Sequence, residues 1–134
     1  MILPVTLLTA GLLTLWYVFI SLKVSLARGQ QQISLGSGAE GSDFSRIVRV
    51  QANAAEYIPL FLIVLAVLEF HELRADILYV LAGLFIVGRV LHRRALLSAS
   101  VAGRIWAMQF TLWPLLIAAL ILLYTWFAQV IIFG

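Results

Sequence analysis

The stretch RVQANAAEYIPLFLIVLAVLE, residues 49–69, places charged and amide side chains at one end of a segment that is otherwise apolar. Because successive residues of an α-helix are about 100° apart, Arg49, Asn53 and Glu56 fall within a sector of about 60°. From position 60 the stretch is apolar until Glu69. Charged groups on a membrane helix are costly unless they face protein or water, so this stripe is a candidate functional site. The alternative interpretation is a buried ion pair that holds helices together.

The composition is that of a membrane protein. Of the 134 residues, 63% are hydrophobic and 11% are charged. The mean hydropathy is +1.07, beyond the range of soluble domains. Apolar runs of about 18 residues are transmembrane candidates, and four segments approach or reach that length. We therefore predict an all-α membrane protein, a single domain over residues 1–134. Its four predicted transmembrane helices cover about residues 2–26, 46–70, 76–95 and 102–132.

The basic residues predict the orientation in the membrane. Eight of the nine lie in or beside the first and third connections, and only Arg74 lies in the second. By the positive-inside rule, the first and third connections are cytoplasmic and both termini are on the far face. The net charge of +3 then reflects membrane orientation, and a nucleic-acid partner is not expected.

The first connection contains Gly29–Ser45, which carries Gly36, Gly38 and Gly41 among glutamine and serine residues. This composition predicts a mobile cytoplasmic loop. The loop lies beside the polar end of the second span, where it could cover a site as a lid. Arg28 immediately precedes it. Its side chain either reaches back toward a site at this interface or extends to lipid phosphates.

The third predicted span ends in GRVLHRR, residues 88–94, and carries a second polar face. Arg89 and His92 are three residues apart, so they share one side of a helix and are expected to face the stripe of the second span. The two arginines that follow His92 are expected to anchor to lipid headgroups. Gly83 and Gly88 favour close approach of a neighbouring helix.

The stretch 49–69, with SLKVSLAR before it and GRVLHRR after it, resembles the MAPEG family, the membrane-associated proteins of eicosanoid and glutathione metabolism. The pattern R-x-Q-x-N-x-x-E-Y-x-P carries the resemblance, which covers nearly the whole chain. It implies a bundle of four transmembrane helices that assembles as a homotrimer, with glutathione bound between subunits near the cytoplasmic face. The likeness is to bacterial-type microsomal glutathione S-transferases, which implies a bacterial inner membrane.

The resemblance also implies roles for individual residues. The second-helix residues that match glutathione contacts are Arg49, Asn53, Glu56 and Tyr57. Those that match contacts from the adjacent subunit are Ser21, Arg28 and Gln51. His92 stands where the family often has tyrosine or histidine. Arg89, on the polar face of the third span, is also a predicted glutathione contact. Arg104 lies at, or one position from, the arginine proposed to stabilise the thiolate, so it is the predicted catalytic residue.

Glutathione fits the charges of this stripe. It carries two carboxylates, one ammonium and a thiol; arginine pairs well with carboxylates, and Glu56 is suited to the ammonium. The chain has no cysteine, so the thiol must come from a ligand, and a nearby guanidinium favours its nucleophilic thiolate form. The predicted function is a membrane-bound glutathione transferase, with glutathione as co-substrate and no metal. It would act on a hydrophobic electrophile from the bilayer, or reduce a lipid hydroperoxide as a peroxidase.

Two other classes of protein stay open. Four residues after His92, the conjugating members usually have a tyrosine, whereas this chain has Leu96. That departure favours a non-catalytic MAPEG-like scaffold that binds lipid or a partner. A small multidrug transporter also has four spans, but it needs a carboxylate embedded in the membrane, usually in the first span, and Ile2–Leu22 contains none.

Overall fold

Four long helices form the fold in a computed structural model, which describes residues 2–132. They are α1 (Pro4–Gln31), α2 (Asp43–Phe70), α3 (Ala75–Leu97) and α4 (Val101–Phe127), and a π-helical segment, Ala128–Ile132, continues α4. Each of the four is long and apolar enough to cross a membrane. The prediction of an all-α protein with four membrane helices is therefore confirmed.

The connection between α1 and α2 is shorter than the sequence predicted. Ser42 caps α2, since its hydroxyl accepts a hydrogen bond from the Ser45 amide at 3.1 Å, and Phe44 is already buried in the first turn. Gln32 adopts a left-handed conformation with a φ of 54° and ends α1. The loop is thus confined to residues 32–42, because the cap and the buried aromatic ring start α2 early.

A carboxylate from α2 caps the first turn of α1. The residue before this helix, Leu3, offers no side-chain acceptor. Glu69 instead accepts hydrogen bonds from the amides of Val5 at 2.8 Å and Thr6 at 2.7 Å. The first amides of a helix have no partner within the helix, and its N-terminus favours negative charge. One buried side chain therefore joins the beginning of α1 to the end of α2.

The centre of the bundle is apolar and closely packed. Phe61 of α2 stacks on Phe85 of α3 with ring centroids 4.0 Å apart. On the other side of α3, the backbone of α4 comes close: a Cβ added to Gly88 would lie 2.9 Å from the backbone carbonyl carbon of Phe110. The prediction for Gly83 is wrong within this chain, because a Cβ there meets no described atom within 4 Å.

The outer surface is strongly apolar, most of all on α4. Leu120, Leu123 and Trp126 are each more than half exposed. Such a surface is stable only against acyl chains or other apolar protein surfaces. The chain is an integral, multi-pass membrane protein.

Replacing the carboxylate that caps α1 should destabilise the bundle. We expect Glu69→Gln to lower the free energy of unfolding in detergent micelles by about 1–3 kcal/mol, because a charged acceptor of two amide hydrogen bonds is lost. Chemical denaturation followed by circular dichroism measures this change. Glu72→Gln, on the exposed connection three residues later, should stay within about 0.5 kcal/mol of the wild type. Equal stability of both variants would contradict the capping role.

The two glycines of α3 should respond differently to a methyl group. Gly88→Ala should lower the unfolding free energy by about 1–3 kcal/mol, because α4 must move away. Gly83→Ala should be neutral or slightly stabilising, since it replaces a glycine inside an exposed helical face. The same denaturation measurement compares them, and an equal change at both positions would contradict the role of close helix approach at Gly88.

Candidate functional site

An open cleft of about 680 Å³ lies between α2, α3 and α4, at the end of the bundle that carries the first and third connections. Five of the predicted site residues line it: Arg49, Asn53, Glu56, His92 and Arg104. They come from three helices, and the fold brings them together because the first half of α2 lies beside the end of α3 and the start of α4. Leu96, where the sequence departs from the family pattern, lines the same cleft.

The stripe on α2 faces the cleft as one row. Arg49 is exposed, and its Nη2 lies 4.0 Å from Oε1 of Glu40 in the first connection. Glu56 is also exposed. Among the ion pairs within residues 2–132, none joins Arg49 to Glu56. The interpretation of the stripe as a sealed structural ion pair therefore does not describe this structure.

The lining of the cleft is positively charged. Two guanidinium groups, those of Arg49 and Arg104, face one carboxylate, that of Glu56. A third guanidinium, from Arg89, lies directly behind Asn53. Fixed charge of one sign in a partly enclosed cleft attracts ligands of the opposite sign. This cleft is suited to a ligand with more negative than positive groups.

Arg89 and Tyr57 pack behind the cleft and are not among the residues that line it, and their roles as ligand contacts stay predictions. Only 1% of Arg89 is exposed. Its guanidinium donates to Asn53 Oδ1 and to Thr111 Oγ1, and its central carbon lies 5.3 Å from the centroid of the Tyr57 ring. These contacts with α2 and α4 direct Arg89 into the bundle. Tyr57 covers it there as an aromatic neighbour.

His92 lies at the floor of the cleft with one nitrogen unengaged. Its Nδ1 is buried and has no hydrogen-bond partner within residues 2–132. Buried polar atoms nearly always have a partner, so an unpaired Nδ1 at this position is unusual. The described part of the chain contains no group of three or more His, Asp or Glu side chains that would hold a metal ion.

Ser21, Gln51 and Arg28 lie elsewhere in this chain. Gln51 Nε2 donates to Ser21 Oγ at 3.0 Å, and the guanidinium carbon of Arg28 lies 5.3 Å from the Phe44 ring centroid. Gln51 is about 200° around α2 from Arg49, so it points to the opposite side of that helix. These three residues therefore do not line the cleft of their own chain. The resemblance assigns them to the site of an adjacent subunit, and their separate position is compatible with that assignment.

Two polar residues of α4 belong to the site, although sequence reasoning missed them. Gln109 lines the cleft and also two apolar grooves beside it, of about 530 and 490 Å³. Thr111 is fully buried and accepts from Arg89. Both are uncharged polar residues within an apolar span. Uncharged polar residues inside a membrane helix also indicate a possible site, but the prediction from the sequence considered only the ionisable residues of this helix.

Four apolar helices with a polar cleft at one end of the bundle define a polytopic membrane protein with a candidate ligand site. The chain belongs to the MAPEG family: the model of that family matches residues 6–124. The match includes all the site residues described above and confirms the resemblance found in the sequence. No curated protein matches the chain.

Proposed function

We propose that this chain is a membrane-bound glutathione transferase that joins the glutathione thiolate to hydrophobic electrophiles. The same thiolate is suited to the reduction of lipid hydroperoxides. The observation that carries the proposal is the convergence of Arg49, Asn53, Glu56 and Arg104 on one open cleft. Membership in the MAPEG family supports the same general class of activity.

The lining groups complement glutathione one by one. Arg49 is suited to a carboxylate, because guanidinium and carboxylate form charge-assisted, often bidentate hydrogen bonds. Glu56 is suited to the ammonium, and the Asn53 amide to a peptide group of the ligand. Glutathione carries one more carboxylate than ammonium groups. Its charge is therefore opposite in sign to that of the cleft.

Arg104 is the residue proposed to hold the thiolate. It lies in the first turn of α4, where the helix N-terminus also favours negative charge. The thiolate is the nucleophile, and a guanidinium beside it lowers the pKa of the thiol and increases the fraction that is ionised at neutral pH. In the proposed reaction this thiolate attacks the electrophilic carbon of the second substrate, the carbon–sulfur bond forms, and a leaving group departs with its bonding electrons, as chloride does from a chlorodinitrobenzene.

A route for a hydrophobic second substrate adjoins the cleft. The two grooves that share Gln109 with it are lined by apolar residues of α4, with contributions from α2 and α3. Trp113 lines both grooves and is 55% exposed on the outer face of the bundle. A lipophilic electrophile dissolved in the bilayer would meet these surfaces before it meets the polar cleft.

The proposal includes a homotrimer in a bacterial inner membrane, with the first and third connections in the cytoplasm. Membership in the MAPEG family supports the oligomer. Within one chain, Asn53 faces the cleft, whereas Gln51 donates a hydrogen bond to Ser21 of α1. The distribution of basic residues supports the orientation.

A non-catalytic MAPEG-like scaffold that binds lipid or a partner is the second candidate. Leu96 favours it, because this residue lines the cleft at the position where conjugating relatives usually carry a tyrosine. The hydroxyl that such a tyrosine would offer to a bound ligand is absent here.

Loss of the Arg49 guanidinium should weaken glutathione binding. We expect Arg49→Ala to raise the dissociation constant about 10- to 100-fold, the usual value of a charge-assisted hydrogen bond to a carboxylate. Isothermal titration calorimetry of the full chain in micelles measures this. Arg94→Ala is the matched control, since Arg94 is an exposed arginine at the same end of the bundle and lies outside the cleft lining. Equal weakening in both variants would indicate general charge attraction without a site.

Removal of the Arg104 guanidinium should act on chemistry more than on binding. The pKa of bound glutathione thiol should rise by about one unit in Arg104→Ala, which corresponds to about 1.4 kcal/mol. The pH profile for conjugation of a chlorodinitrobenzene should therefore shift upward by about one unit, with activity near neutral pH reduced about 10-fold. A wild-type chain that binds glutathione but conjugates none of a panel of electrophiles would favour the scaffold.

A further inference from the structure

The side chain of Arg89 is a buried cation without a carboxylate partner. It is 1% exposed, and the ion pairs found within residues 2–132 join other arginines: Arg46 to Asp43, Arg49 to Glu40 and Arg74 to Asp76. Burial of a charge without a counter-ion is unfavourable unless hydrogen bonds compensate for the lost water. Arg89 therefore calls for a role that an apolar residue of similar volume would not fill.

Its contacts form a junction between three helices. One nitrogen, Nη1, donates to Asn53 Oδ1 on α2, and the other, Nη2, donates to Thr111 Oγ1 on α4. Gly88, the preceding residue, lets α4 come this close, because a Cβ there would lie 3.0 Å from Thr111 Oγ1. The rings of Tyr57 and Phe85 cover the guanidinium at 5.3 and 5.4 Å. The two Nη atoms therefore make the hydrogen bonds of this guanidinium, whereas its Nε is buried without a partner within residues 2–132.

We infer that Arg89 is a positioning residue that takes the side-chain oxygen of Asn53, so that Asn53 offers only hydrogen-bond donors to the cleft. Arginine has five N–H donors and no acceptor. The two ends of an asparagine amide otherwise look alike, but only the oxygen can face a guanidinium. The amide nitrogen is the group that remains for the cleft, which Asn53 lines.

The consequence is selectivity for the ligand atom that meets Asn53. That atom must be a hydrogen-bond acceptor, such as a peptide carbonyl or a carboxylate oxygen. A ligand N–H at this point would meet the N–H of Asn53, and two donors cannot form a hydrogen bond. The adjacent positive charge also polarises the amide and strengthens it as a donor. This inference rests on the proposed function for the identity of the ligand, and it adds which atoms of a peptide the site accepts.

The decisive variant is Asn53→Asp in the full chain. The new carboxylate gives Arg89 its missing counter-ion, so the midpoint of thermal unfolding should equal or exceed that of the wild type. The amide donors are lost and a negative charge faces the ligand, so glutathione should bind at least about 10-fold more weakly. In an Arg89→Gln background, the same substitution should lower the unfolding midpoint. Destabilisation by Asn53→Asp with Arg89 present would overturn the inference.

A double-mutant cycle on binding separates positioning from direct contact. Arg89→Gln and Asn53→Ala should each weaken glutathione binding about 10-fold, and the double variant should be no weaker than Asn53→Ala alone, because both remove the same donor. If the double variant bound glutathione about 100-fold more weakly, the product of the two single effects, Arg89 would act on the ligand independently of Asn53. That result would overturn the inference. Arg89→Lys keeps a donor-only cation, although it loses the forked geometry, so it should bind glutathione more tightly than Arg89→Gln does.

The two proposals fail in different ways. Wild-type protein that binds no glutathione would overturn the proposed function, while the unfolding midpoint of Asn53→Asp would still decide whether Arg89 holds the asparagine oxygen. Should Arg89→Gln not fold, Arg89→Lys and Asn53→Asp carry the test. Loss of binding in Arg89→Lys, with normal stability, would contradict the positioning role.

Discussion

The guanidinium of Arg89 is the interaction on which the candidate site depends. It belongs to α3, and it holds Asn53 of α2 and Thr111 of α4 by hydrogen bonds. In the apolar interior of a membrane bundle such bonds have no competition from water, so one side chain can fix the relative position of three helices. The cleft lies on the other side of Asn53. Its shape therefore depends on a residue that no ligand needs to touch.

The sequence predicted the parts of this site that follow from helical periodicity alone. Arg49, Asn53 and Glu56 share one side of α2 because the period of a helix is fixed, and they line one cleft as a result. Periodicity does not specify which way a long side chain turns at its end. Arg89 lies on the predicted face of α3, but its guanidinium turns inward and donates to Thr111 of α4. This contact depends on the distance between α3 and α4, which the sequence does not give.

The cap on α1 is another contact that helical periodicity could not predict, because its two partners are far apart in the sequence. Glu69 is 64 positions away from the amide of Val5 that it binds, and no local pattern connects them.

Gly83 and Gly88 show that helix packing is equally hard to predict from the sequence. Both are glycines on one membrane helix, but only Gly88 meets a neighbouring backbone. Which glycine is in contact depends on the rotation of α3 against α4, which side chains of both helices decide together.

The two glutamates of α2 differ in whether their carboxylates have hydrogen-bond partners within the chain, and this difference distinguishes a structural from a functional role. Glu69 is buried, and each of its oxygens accepts a backbone amide of α1, so burial and these two bonds engage it in the fold. Glu56 lines the cleft, and within residues 2–132 no side chain or backbone group is bonded to it. A carboxylate that has all its partners stabilises the fold, whereas one held in a cleft without partners is available to a ligand. The same reasoning applies to the arginines. The buried Arg89 is held by other side chains of the chain. In the cleft, Arg49 has one long contact, with Glu40 at 4.0 Å, and Arg104 is in none of the ion pairs found within residues 2–132. The charges of this site are therefore suited to an anionic ligand.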